Sequence, residues 1–112
     1  METRIMKLYK FQQTIINYAI IQLAWHRRVE LPIPTGCGYS HIAVALARKL
    51  VENEGRPCII LVNTCLSEQF KRLIQRCRMS HITRANITIT YKIPNKPCMF
   101  IAITQTGLYA SY

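Results

Sequence analysis

The chain has 112 residues, half of them hydrophobic and 18% charged, a composition that fits one compact domain or part of one and excludes two full domains or a disordered tail. Fifteen Lys and Arg stand against five acids, giving a net charge of +10, and all five acids are Glu, with no Asp anywhere. Residues 56–112 hold eight of the basic residues and one acid, an excess that favours polyanion contact without carrying sequence preference.

The first helix is expected where Phe11, Ile15, Ala19 and Leu23 recur every four residues beside Ile16 and Ile20, ending near Trp25. The longest apolar stretch, Ile15 to Trp25, is interrupted by Asn17 and Gln22 and is shorter than the roughly 20 residues that cross a bilayer. The opening METRIMKLYK has no apolar segment followed by a small-residue cleavage site, so an intracellular protein, cytoplasmic or nuclear, is expected. A short strand over Arg28 to Leu31 follows. After the Pro and Gly cluster from Pro32 to Gly38, the run Ile42 to Ala47 is apolar nearly all round, as in a helix buried on most sides. Glu52-Asn53-Glu54-Gly55 suits its end.

Cys58 to Val62 is a continuous apolar run, the pattern of a parallel strand covered on both faces. Leu66, Phe70, Leu73, Ile74 and Cys77 keep helical spacing, with Lys71, Arg72 and Arg76 on the other side. Ile87 to Tyr91 alternates as a half-exposed strand does, and a last strand is expected from Cys98 to Ile103. The order αβαβαββ implies an α/β fold with an open, mostly parallel sheet flanked by helices. The cysteines at 37, 58, 65, 77 and 98 form no CxxC pair and no histidine is grouped with them. Buried structural thiols are therefore expected, and zinc is not.

The segment Leu31-Pro-Ile-Pro-Thr-Gly-Cys-Gly-Tyr-Ser-His41 lies between an expected strand and the most apolar helix. A glycine turn at a helix N-terminus aims backbone N–H groups at one point, where the helix dipole adds positive potential, so the turn can cradle phosphates. Here the sequence resembles superfamily 2 helicases, whose phosphate loop reads PTGxGKT or PTGxGKS, against PTGCGYS from Pro34 to Ser40. Tyr39 stands where the family has its phosphate-binding lysine, and two residues, Pro32-Ile33 or Ile33-Pro34, look added.

Three further segments resemble the same family in its order. In Tyr9-Lys10-Phe11-Gln12-Gln13, Gln12 matches the glutamine that reads the adenine edge. Ile59 to Gln69 is similar to motif Ia, matched at Thr64, Leu66 and Gln69, with Asn63 for the usual proline and Cys65 for the usual basic residue. Phe100 to Thr106 resembles the strand and turn of motif Ic, with Thr104, Gln105 and Thr106 as contacts to a nucleic-acid backbone.

The resemblance implies part of one RecA-like motor domain spanning residues 1–112. ATP would be held by Gln12, Thr35, Gly36, Cys37, Gly38, Tyr39 and Ser40, with Mg2+ on Ser40. DNA or RNA would lie against Thr64, Cys65, Thr104, Gln105 and Thr106, helped by Lys71, Arg72 and Arg76. The family's next strand ends in DExD or DExH, which holds magnesium and polarises water; no Asp exists here and no Glu follows Glu68. A truncated or degenerate helicase-like domain without independent ATPase or unwinding activity is the expectation. The alternative is a basic nucleic-acid-binding module using Lys71, Arg72, Arg76, Arg78 and Arg84, or a module that docks on an intact helicase. An exposed sheet edge and an apolar face that invite self-association are also expected.

Overall fold

The computed structural model describes residues 10–32, 38–93, 98–104 and 107–111. Its elements are α1 (Lys10–His26), β1 (Arg28–Pro32), α2 (Tyr39–Glu54), β2 (Cys58–Leu61), α3 (Thr64–Arg76), α4 (His81–Ala85), β3 (Ile87–Thr90), β4 (Met99–Thr104) and β5 (Gly107–Ser111). They form an α/β architecture with a single five-stranded sheet in the order β1-β5-β4-β2-β3. The strand β2 runs parallel to both β3 and β4, whereas β5 is antiparallel to both of its neighbours, β4 and β1.

Four strands thus share one direction, and only β5 is reversed. The sheet is mixed and not purely parallel, because two of its four pairings are antiparallel. The reason is local. The chain folds back after Thr104, and the hairpin return fills the slot between β4 and β1.

Both helical crossovers, β1 to β2 through α2 and β2 to β3 through α3 and α4, step in the same direction across the sheet. Right-handed crossovers that step the same way lie on the same face, and the contacts agree. The central helix α2 touches α1, α3 and α4 as well as β2, β3, β4 and β5. One face of the sheet is therefore covered. On that face Val29, Leu31, Cys58, Ile60, Met99, Ile101, Leu108 and Ala110 are buried in one core with Ile42, Val44, Leu46 and Leu50 of α2.

The other face carries no helix among the described residues. Strand register places Arg28, Ser111, Phe100, Ile59 and Thr88 in one row across it, and Glu30, Tyr109, Ala102, Leu61 and Thr90 in the next. Their burial alternates with that of the covered row. The expectation that β2 is covered on both faces is corrected accordingly: Ile59 and Leu61 are only half-buried, since an apolar run is compatible with either environment.

The helix ends follow their chemistry. Gly55 closes α2 in the left-handed conformation at φ 67°, donating its N–H to the Val51 carbonyl at 2.9 Å, as glycine readily does. Asn63 caps α3 by accepting from the Leu66 N–H at 3.1 Å. Ser80 caps α4 in the same way from the Thr83 N–H, at 3.1 Å. Two differences from the sequence-based expectation concern α1 and α4. Gln12 faces inward with Ile16, Ala19 and Leu23, and Phe11 is exposed; α4 was not anticipated, being too short to show a period.

The thiols divide. Cys58 and Cys77 are buried, Cys65 is exposed and Cys98 lies between. Burial, reinforced by Cys98, pushes the Cys58 thiol up to about 12. Burial also raises Cys77 to about 11, against the opposing influence of Arg48 and Arg84, and its Sγ–H donates to the Leu73 carbonyl at 2.9 Å. No helix is long and apolar enough to cross a membrane among the described residues.

Candidate nucleotide and nucleic-acid site

Because β1, β2 and β4 share a direction, their carboxyl ends lie together. β1 ends at Pro32, and α2 begins at Tyr39, directly after Gly38. Gly38 is left-handed, at φ 72° and ψ 44°, a conformation that strains any residue with a Cβ. Its carbonyl accepts the first helical hydrogen bond, from the Ile42 N–H at 3.1 Å. The N–H groups of the first turn, at Tyr39, Ser40 and His41, have no acceptor within the helix and point out of its end, where the dipole is positive.

Gln12 is placed against this end from α1. A Cβ built on Gly38 would stand 2.7 Å from Gln12 Nε2, so the amide occupies the space that only glycine leaves open. Gln12 is 5% exposed, and an amide buried to that degree is held in one orientation by its partners. The inward turn of Gln12 is thus coupled to the glycine at the start of α2, although the two are 26 positions apart in the sequence.

Ser40 is buried in the first turn, and its hydroxyl has no hydrogen-bond partner among the described residues. Tyr39 is half-buried, with its ring packed against the hydrophobic core. A lysine in this place would carry a cation, while the phenol supplies one hydroxyl and apolar surface. These residues fit a phosphate group: free N–H donors at a helix end, an unpartnered buried hydroxyl and a glycine cradle. For Mg2+ they provide the Ser40 hydroxyl alone, so the nucleotide's own phosphates and water would have to complete its octahedron. No group of three or more His, Cys or Glu side chains able to hold a metal ion occurs among the described residues.

Of the residues expected to bind nucleotide, Thr35, Gly36 and Cys37 lie outside the described residues. Among those expected to bind nucleic acid, Gln105 and Thr106 do as well. Thr64 and Cys65 are exposed in the first turn of α3, at the carboxyl end of β2, and Thr104 is exposed at the end of β4. The structure therefore brings Gly38 to Ser40, Thr64, Cys65 and Thr104 to one end of the sheet, where open α/β sheets bind ligands. The Thr104 hydroxyl donates to the Gly107 carbonyl at 3.1 Å and so also closes the hairpin.

Asn63, beside Thr64 and Cys65, has a structural role as the cap of α3. Lys71, Arg72 and Arg76 are exposed on α3. Arg84 is not a free cation: its Nη2 donates to the Cys77 carbonyl at 2.7 Å and its Nε to the Ile74 carbonyl at 3.4 Å. It clamps α4 to the end of α3. A cleft of about 350 Å³ at the end of β1, lined by Pro32, Thr104, Leu108 and Tyr109 among others, has no signal in the sequence, because the pairing of β1 with β5 brings its walls together. Compared with known proteins, the chain matches no family model, no curated protein and no solved structure.

Proposed function

We propose that this chain is a degenerate, helicase-like domain, RecA-like in part, which retains binding of a nucleoside triphosphate and of DNA or RNA but has no ATPase or unwinding activity of its own. The observation that carries the reading is the Gln12 amide packed against Gly38 at the start of α2. A base-reading amide and a phosphate turn belong together in a nucleotide site. The helix beginning at Tyr39 and the gathering of Thr64, Cys65 and Thr104 at the same sheet end support it further.

Hydrolysis is a separate matter. Phosphoryl transfer depends on positive charge at the β and γ phosphates and on a group that orients water. Tyr39 brings no charge, and a sequence without Asp offers no carboxylate pair of the family's kind. Bound ATP would accordingly be held and not turned over.

The test is a titration of the full chain with a fluorescent ATP analogue, alongside Gly38→Ala and Ser40→Ala. Saturable binding that weakens in both variants is expected. ATP turnover above the Gly38→Ala, Ser40→Ala double variant would refute the inactive part of the proposal, and absence of any binding the nucleotide part. A second reading, a module that docks on an intact helicase or on itself through the sheet, is favoured by the helix-free face bearing Ile59, Leu61, Phe100 and Ala102. Sedimentation showing a well-folded, strictly monomeric species would count against the self-associating form.

A further inference from the structure

We propose a second binding site, at the opposite end of the sheet, for single-stranded nucleic acid. The proposal rests on the nucleic-acid part of the reading above, uses none of the residues of the phosphate turn, and gives that part a different location. A groove of about 910 Å³ opens between the end of α1, β1 and β5. Its walls carry His26, Arg27 and Arg28 against one acid, Glu30, together with two phenol rings, Tyr18 and Tyr109. The Tyr109 ring lies 5.8 Å from that of Phe100 at an interplanar angle of 44°, so aromatic surface continues from the groove onto the open sheet face.

Two observations point to a ligand. First, the guanidinium groups of Arg27 and Arg28 have no ion-pair or hydrogen-bond partner among the described residues. Arg48 and Arg84, in contrast, are engaged with Glu52 and with helix carbonyls. Second, Arg27 is the one described non-glycine residue with positive φ, 64°. It ends α1 with its N–H on the Leu23 carbonyl at 2.9 Å, in the place where glycine serves with less strain. A cation is thus held in a strained position in a groove that already contains Arg28.

Cations alone accept any polyanion; rings select among them. Single strands present both phosphates and unstacked bases, and proteins bind them with a basic groove interleaved with aromatic side chains. Tyr18, which is 52% exposed, and Tyr109 line the groove with the arginines and can meet bases while the arginines meet phosphates. A duplex hides its base faces and would use only the charge.

The experiment is fluorescence anisotropy of labelled oligo-dT and oligo-U, about twelve nucleotides long, with the full chain over a range of salt. For Arg27→Gln, Arg28→Gln the expected result is about tenfold weaker binding and a shallower salt dependence, by about 1.4 in the log–log slope, for two phosphates released. Tyr18→Ala should weaken binding at least fivefold with the slope unchanged. Arg27→Gly guards against misfolding: relief of backbone strain should hold or raise the melting temperature while affinity falls.

Lys71→Gln, Arg72→Gln, Arg76→Gln should keep most of the affinity. If that triple variant abolishes binding and the groove variants bind like wild type, the groove site is wrong and the nucleic-acid reading survives. Loss with the arginines but none with Tyr18→Ala means diffuse charge only and also overturns the site. Wild type that binds no oligonucleotide at low salt, whether or not it binds phosphatidylserine vesicles, overturns both.

Discussion

Replacing Gly38 by alanine tests the contact on which the nucleotide reading depends, and Gly55 supplies an internal control. Both glycines are left-handed, at φ 72° and 67°, so alanine at either place carries the same backbone penalty, about 1 to 2 kcal/mol. The surroundings differ. A Cβ at Gly55 meets nothing within 4 Å, whereas one at Gly38 lies 2.7 Å from Gln12 Nε2. The buried amide must then leave its rotamer and surrender a hydrogen bond, each worth about 1 kcal/mol. Gly38→Ala should therefore be about 2 kcal/mol more destabilising than Gly55→Ala, or about 8 °C in melting temperature for a chain of this size. Urea denaturation of the four species in a double-mutant cycle with Gln12→Ala should return that 2 kcal/mol as a coupling energy, because alanine at position 12 removes the obstacle. Equal destabilisation by the two glycine substitutions, or zero coupling, would show that Gln12 does not pack on the turn.

Placing a cation at the start of α2 with Tyr39→Lys should tighten ATP binding by about ten- to a hundredfold, the usual effect of one charged hydrogen bond to a phosphate, while turnover stays at background; unchanged affinity in a fluorescent-analogue titration would mean that the start of α2 does not meet phosphates. Arg84→Ala should lower stability by about 1.5 to 2 kcal/mol through the lost charged hydrogen bonds to the end of α3, with partial rescue in Arg84→Lys, and thermal melts read both. Stability should be indifferent to Cys58 below about pH 9, its ordinary value, and should fall above it, because the unfolded thiol then ionises while the buried one, up at about 12, stays protonated. The share due to Cys58 approaches about 1.4 kcal/mol per pH unit, and Cys58→Ala should remove that share in urea titrations, leaving the fall contributed by Cys77, whose thiol is up at about 11.

Much of the layer order could be anticipated from hydrophobic periodicity. The segments that became α2, β2 and α3 are strongly patterned, and Gly55 and Asn63 stand at helix boundaries in keeping with their chemistry. What escaped depends on partners distant in the chain. Gly107 to Ser111 reads as a short tail, and only its pairing with both β4 and β1 makes it the second strand of the sheet. The continuous apolar run of β2 could not say whether one face or two would be covered, since that is decided by the direction of the crossovers. Phe11 and Gln12 are neighbours on a helix that is apolar on more than one side, and the choice of which faces inward followed from the glycine at the start of α2. The groove unites residues 18, 27, 28 and 109, and the only local hint was the Arg27-Arg28 pair directly after Trp25 and His26.

No loop separates α1 from β1: Arg27 alone turns the corner. At about 1.5 Å per residue, the 17 residues of α1 make a stiff rod about 25 Å long, with Gln12 at one tip and Arg27 at the other. Ile16, Ala19 and Leu23 bury the rod along its length, so its two tips are held in one fixed relation. Tilting it at the arginine corner would lift or press the glutamine against the glycine that begins α2, and linkage requires any such influence to run equally in the reverse direction.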